Sequence, residues 1–346
     1  NTEAAVGTSF FGGAYIMILG DADVDTDEYD ESVVIHEWGH YFQHVLSRDD
    51  SLGGAHGSGD LLDMRVAFSE GWANAFSGLA SDREIYQDSR GASQSQGFSL
   101  PLEQELTLAD GAVKGWYSEG SVQNFIFDLF DNPEKDDDML ALSTSAMINA
   151  MVDFMPQQSA LTSIFSFTEG LLQISTANTS GILSLLNAQD IASGTSSVDM
   201  FGLGETNSGQ EYTTKPGVSD VTLPVYMELD ERLTTPDVCQ DVFFGGSNKL
   251  GVYRFIRFSL AVSGNYQITA TTSQAPAGAV ADPDFYVYSS SVYRPAESAD
   301  ENIESLRLNL EAGDYTMAVT DYNNNENNAG NAIAGQYCQE VEVLQL

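Results

Sequence analysis

His36-Glu-Trp-Gly-His40 sets two imidazoles four residues apart, with a carboxylate next to the first. On a helix, positions 36 and 40 share one face, so both rings reach a single Zn2+. Glu37 then stands beside the metal, where it takes a proton from a water that the metal activates. The motif is embedded in an apolar helical stripe of Ile35, Trp38, Phe42 and Val45, and three of the four histidines of the chain fall on this segment. A zinc enzyme needs a third protein ligand and an open position. Leu46 stands ten residues after His36, where a third histidine would otherwise complete the set. His44 is roughly 12 Å along the helix axis from His36, too far to share the ion, and reads as a surface or packing histidine. Glu70 fits better. It lies in Val66-Ala-Phe-Ser-Glu-Gly-Trp-Ala-Asn-Ala-Phe76, and a carboxylate between Phe68 and Trp72 is costly to bury unless a cation compensates it. The competing reading pairs Glu70 with Arg65 or leaves it to water. Asn74, one turn after Glu70, is placed to orient a ligating imidazole.

These residues need helices to hold them. The pattern predicts a helix over 30–47 capped by Asp27 or Asp30, a second over 60–80 capped by Asp60, and a third over 118–131. The third carries Val122, Phe125, Ile126, Leu129 and Phe130 at helical spacing. A strand over 14–19 precedes the first helix, and further helical pieces follow between 137 and 187. After about 238, apolar residues come in short alternating runs broken by Gly, Asn, Asp and Pro. Strands are expected over 253–261, 266–271, 285–288, 306–310, 315–320 and 340–344, the pattern of an antiparallel β-sandwich. The fold class is therefore α+β, a mainly helical domain over 1–201, a polar linker over 202–237 and a sandwich over 238–346. Cys239 and Cys338 are either buried thiols or a disulfide, and their places at the two edges of one β domain favour a disulfide that staples it.

Composition narrows the partners. The 346 residues carry 13 Lys+Arg against 51 Asp+Glu, a net charge of −38. So acidic a surface is repelled by phosphate backbones and anionic lipid, which excludes nucleic acid and membrane surfaces as partners. No run approaches the roughly 20 apolar residues of a transmembrane helix. The acidity, the cysteine pair and a start at Asn1 together predict a processed, secreted protein. Asp21-Ala-Asp-Val-Asp-Thr-Asp27 spaces carboxylates as calcium loops do, although an EF-hand fails because Thr26 replaces the turn glycine and Ser32 the closing Glu. The loop is either a Ca2+ site or a solvated acidic turn. The run at 134–138 reads as a solvated acidic patch, and the Asn-rich stretch at 321–328 as a turn.

Taken together, HEWGH, SEGWANAF and WYSEGSVQNFIFDLFD resemble the gluzincin metallopeptidases, most closely the fungalysin branch of the thermolysin-like group. The resemblance covers about residues 9–135. It implies a zincin-type catalytic domain with Zn2+ on His36, His40 and Glu70, Glu37 as general base, and endopeptidase action on protein or peptide substrates. This sequence departs from the family in three ways. The insert between His40 and Glu70 is long, 29 residues, and carries a Gly-rich stretch around His56. Asn74 stands where relatives often have Asp. No histidine follows His56 to stabilise the oxyanion, so Tyr117 is the first choice for that role and His56 the second. The family's N-terminal sheet, whose edge strand holds substrate, is represented by little sequence, which implies an incomplete N-terminal lobe. NKLGVYRFIRFSL, DPDFYVY and LEAGDYTMAVTD resemble the bacterial pre-peptidase C-terminal domain, an appendage of secreted peptidases with roles in substrate or surface binding. The leading expectation is a secreted bacterial zinc endopeptidase. The alternative is a non-catalytic extracellular binding or assembly protein on a zinc-peptidase scaffold.

Overall fold

A computed structural model of the chain describes residues 7–103, 113–131, 140–192, 198–203 and 224–346, apart from 231, 236, 241–245, 291–292, 299–300, 325–332 and 334. The acidic patch at 134–138, the linker segment 204–223 and residues 325–328 of the Asn-rich stretch lie outside the described residues. The described chain is α+β, with the helices and two small sheets in its first half and larger antiparallel-rich sheets after them.

At the start, β1 (Phe10–Phe11) and β2 (Ile16–Met17) form a hairpin, shorter than the strand expected over 14–19. Next, β3 (Gly20–Asp21) and β4 (Asp25–Thr26) join β5 (Ile85–Arg90) and β6 (Gln96–Pro101) in an antiparallel sheet ordered β3-β4-β5-β6. The β5–β6 hairpin is not predicted from the sequence, because its residues are mostly exposed and mixed in polarity.

Three helices build the centre: α1 (Glu31–Leu46), α2 (Met64–Ser81) and α3 (Glu119–Phe130). Asp30 stands at the start of α1, but its carboxylate accepts from the backbone N–H and hydroxyl of Ser89 at 2.9 and 2.8 Å, tying the helix start to β5. The second helix begins later than expected. Its cap is Asp63, which accepts from the Arg65 N–H at 2.9 Å, whereas Asp60 pairs with Lys249 at 3.0 Å. Nearly the whole of α2 is buried, and small residues let its neighbours come close. A Cβ at Gly39 would lie 3.1 Å from the Ala73 Cα, and one at Gly71 would lie 2.6 Å from the Val122 Cβ. The shorter helices α4 (Thr144–Ile148), α5 (Ile164–Ile174) and α6 (Thr179–Ala188) complete the helical core.

The second half is built from β7 (Tyr226–Glu228), β8 (Val238–Gln240), β9 (Arg254–Leu260), β10 (Gly264–Gln274), β11 (Pro283–Tyr288), β12 (Tyr293–Ala296), β13 (Ile303–Leu310), β14 (Gly313–Asp321) and β15 (Tyr337–Gln345). They form two sheets, ordered β13-β10-β15-β8 and β12-β11-β14-β9-β7. Ile256, Phe258, Ile268, Phe285, Val287, Met317, Val319, Val341 and Val343 from both sheets share one core, the sandwich interior. The two sheets differ in their outer faces. β10, β13 and β15 alternate buried and exposed residues, whereas β11 and β14 are buried on both faces. Phe255, Tyr288 and Ala318 on the second outer face belong to the same hydrophobic core as α2, α3 and α5. The sandwich is thus seated on the helices. Strand β7, within the stretch read as linker, already pairs with β9 in parallel.

Cys239 and Cys338 are bonded across the β8–β15 ladder, where they stand directly opposite one another. Among the described residues, no helix is long and apolar enough to cross a membrane.

Candidate metal centre

α1 and α2 pack side by side, and the facing turns bring His36, His40 and Glu70 together, with one ligand atom from each within 4.8 Å of the others. The Trp72 indole N–H donates to the Gly39 carbonyl at 3.0 Å, fixing the two helices at this level. Each imidazole is held from behind. Asn74 Oδ1 lies 2.9 Å from His36 Nδ1, and Ser69 Oγ lies 3.1 Å from His40 Nδ1. The Ser69 hydroxyl donates to Gln43 Oε1 at 3.0 Å, which leaves its lone pairs for the His40 N–H. With both protons on Nδ1, the two Nε2 atoms present lone pairs forward. They face each other at 3.0 Å, and Glu70 Oε2 is 3.4 Å from the first and 3.2 Å from the second.

Three electron-rich atoms this close repel unless a cation lies between them. Ligands of a tetrahedral zinc, at bonds of about 2.0–2.1 Å, are separated by roughly 3.3–3.4 Å. The observed triangle has sides of 3.0, 3.2 and 3.4 Å. Glu70 Oε2 is buried and makes no well-directed hydrogen bond, although imidazole nitrogens surround it. These residues fit a zinc ion. Burial pushes the Glu70 carboxyl up, but when the imidazoles carry a second proton the charge of His40, with His36 and His56 beside it, outweighs burial and holds the carboxyl well below the usual carboxylate range.

Glu37 is 6 % exposed, and its Oε2 is likewise buried without a partner. Burial raises its pKa above the usual 4.5 against the pull of His36; the negative charge of Glu70 adds to the rise, and the Phe11 backbone N–H opposes it. A carboxylate held in this way is suited to gain and release a proton.

His56 comes to the same place from the Gly-rich loop. Its Nε2 is 3.2 Å from Glu70 Oε2 and its Nδ1 is 2.6 Å from Glu119 Oε2 at the start of α3. Burial works against its charged form, yet the hydrogen bond it donates to Glu119 and the charges of Glu70 and Glu119 push its pKa up to about 9. The loop itself is clamped from the second half of the chain. The Asn248 side-chain amide donates to the Gly53 and Ala55 carbonyls at 2.9 and 3.0 Å, and Lys249 Nζ donates to the Ala55 carbonyl at 2.6 Å.

Of the residues singled out in the sequence, His36, His40 and Glu70 therefore converge, Asn74 holds the first of them, and Glu37 follows His36 on α1 within reach of the Glu70 charge. Tyr117 does not join them. It is wholly buried in the core, its ring edge-on to Trp116, so a substrate cannot reach it from solvent. His44 is half-exposed and lies 3.5 Å from Asp49. Ser69, Gln43 and Glu119 were not anticipated. Glu119 had a signal in the sequence, since Ser-Glu-Gly occurs both at 69–71 and at 118–120.

Residues 5–166, which contain all of these site residues, match the family described as the mycolysin C-terminal domain. No curated protein matches the chain. Among solved structures, similar ones include the pre-peptidase C-terminal domain of collagenase from Bacillus anthracis, at 15% identity over 34% of this chain and 92% of that one, with a TM-score of 0.23. Another is CorA, a surface-associated copper-binding protein of Methylomicrobium album BG8, at 11% identity over 35% of this chain and 98% of that one, TM-score 0.26. A third is a family 35 carbohydrate binding module from Clostridium thermocellum, at 12% identity over 35% and 96%, TM-score 0.21.

Proposed function

We propose that the chain is a secreted zinc-dependent endopeptidase. One observation carries the reading: two imidazole lone pairs and a buried carboxylate oxygen converge at tetrahedral spacing, with an unpartnered glutamate oxygen alongside. The match of residues 5–166 to a domain found in peptidases supports it, as do the disulfide and the strongly acidic composition for an extracellular setting.

In this reading His36, His40 and Glu70 hold the metal. Zinc, when bound, lowers the pKa of a water and polarises the scissile carbonyl. Glu37 accepts the proton of the attacking water and returns it to the leaving amine. Asn74 and Ser69 keep both imidazoles in the tautomer that binds metal. Tyr117 is set aside as oxyanion donor because of its burial, and His56 takes that role, presented by its loop and oriented by Glu119. The solvent-facing β13-β10-β15-β8 sheet of the sandwich is the face open to protein substrates or an extracellular surface.

The test is zinc content measured together with cleavage of a mixed peptide library. The protein is expected to hold one zinc and to cleave until a chelator is added. Glu37→Gln is expected to keep its zinc and lose at least about 100-fold in turnover. Undiminished hydrolysis by Glu37→Gln would sink the mechanism. Stoichiometric zinc without any cleavage would favour a zinc-holding binding protein instead.

A further inference from the structure

A second cluster lies at the entry to α1. Asp25 on β4, Asp27 just before α1 and Asp88 on β5 bring one carboxylate oxygen each within 4.8 Å of one another. Asp27 is 4 % exposed. Its Oδ2 accepts from the Ser9 hydroxyl, which in turn accepts from the Leu19 N–H at 2.9 Å, so this side of the carboxylate is fixed. Its Oδ1 has no hydrogen-bond partner, and neither has the buried Oδ1 of Asp25. Arg90, opposite Asp25 in the β4–β5 ladder, is a cation whose charge reaches Asp88.

Three carboxylates at this distance are a poor arrangement for a chain already carrying −38. An all-oxygen, triply acidic site suits a hard divalent cation, and Ca2+ accepts the irregular geometry of a loop more readily than Mg2+ does. Such a site differs from the run of alternating carboxylates in the sequence. Asp21 and Asp23 are exposed and are not among the three, although Asp21 stands opposite Asp25 in the β3–β4 ladder, and Asp88, more than 60 residues on, supplies the third carboxylate.

We infer that Asp25, Asp27 and Asp88 form a Ca2+ site that locks the entry of α1 to β5. The consequence reaches the metal centre through two short links. Asp27 lies just ahead of the helix that carries His36 and Glu37, and Tyr86, two residues before Asp88, packs edge-on against the His36 ring. The site itself is independent of whether zinc binds or peptides are cleaved.

Calcium binding is tested on the full chain, saturated with zinc in buffer freed of calcium, by calorimetric titration and by thermal melting. One Ca2+ per chain is expected, with a rise in Tm of about 5 °C when calcium exceeds its Kd 100-fold. Asp25→Asn and Asp88→Asn are each expected to abolish the titration while keeping the native circular dichroism. Glu70→Gln is expected to keep it, which separates failure of this site from failure of the zinc reading. The inference is overturned if wild-type protein shows no calcium titration, as it would if a shared proton joins Asp25 and Asp27. It is also overturned if the titration survives in both Asn variants, or if Mg2+ stabilises equally well.

Discussion

At the residue scale, the candidate metal centre depends on atoms behind it as much as on those in front. His36 and His40 face inward because Asn74 and the Ser69–Gln43 pair occupy their other nitrogens. His56 is the residue whose part is most open to test. If it donates to the oxyanion, His56→Ala lowers kcat by about 100-fold and leaves KM and zinc content nearly unchanged. Loss of zinc in that variant would make His56 a ligand instead. Glu119→Gln, which keeps the shape of its side chain and removes the charge, is expected to cost less than His56→Ala, because the hydrogen bond to His56 Nδ1 survives in weaker form.

At the scale of elements, a group of buried acids in the sandwich makes stability depend on pH. Burial pushes Asp284 up to about 8, and the neighbouring charges of Asp282, Glu297, Glu304 and Asp321 push it further in the same direction. Asp321 rises to about 6, mainly through burial, against hydrogen bonds from Asn323 and Asp282. The folded state therefore binds these protons more tightly than the unfolded chain, whose aspartates titrate near 3.8. Their contribution is fully present below that value and is lost as pH rises through 6 and on to 8. Tm is expected to fall over this window, and Asp284→Asn should flatten the fall, as read by thermal melts at successive pH values.

The same scale shows what could be read in advance. α1 and α3 were legible because their apolar periodicity is strong, and the two histidines were legible because their partner is one turn away on the same helix. Glu70 was legible because a carboxylate amid Phe68 and Trp72 needs an explanation. The start of α2 was misjudged because Asp60 and Asp63 are equally good caps; Arg65 and Lys249 decide between them through contacts that local sequence does not display. The β5–β6 hairpin, with exposed residues of mixed polarity, had no period to read. The pairing of His56 with Glu119 spans 63 positions, and Asn248, which helps hold the loop, is 195 positions from Gly53. Such long-range clamps leave no local trace.

At the scale of the whole molecule, the sandwich is part of the body that presents the candidate metal centre. Arg65 of α2 is fully buried, paired with Asp63 at 2.8 Å and lying 4.8 Å from the Tyr253 ring centroid and 5.2 Å from that of Phe255. Arg65→Met strands the Asp63 carboxylate and is expected to cost about 3–5 kcal/mol. Both halves should then melt together at a lower temperature, followed by helix and strand signals in circular dichroism; separate transitions would show that the halves are independent. The disulfide has a consequence of another kind. It joins residues 99 positions apart, the second of them within the last strand. A pulling force applied between the ends of the chain passes from β15 through this bond to β8 and bypasses most of the sandwich strands. Stretched to rupture while oxidised, the molecule comes up short by roughly 350 Å of chain. A reductant releases that hidden length, so a single-molecule pulling experiment would register the redox state of its surroundings as a change in extension.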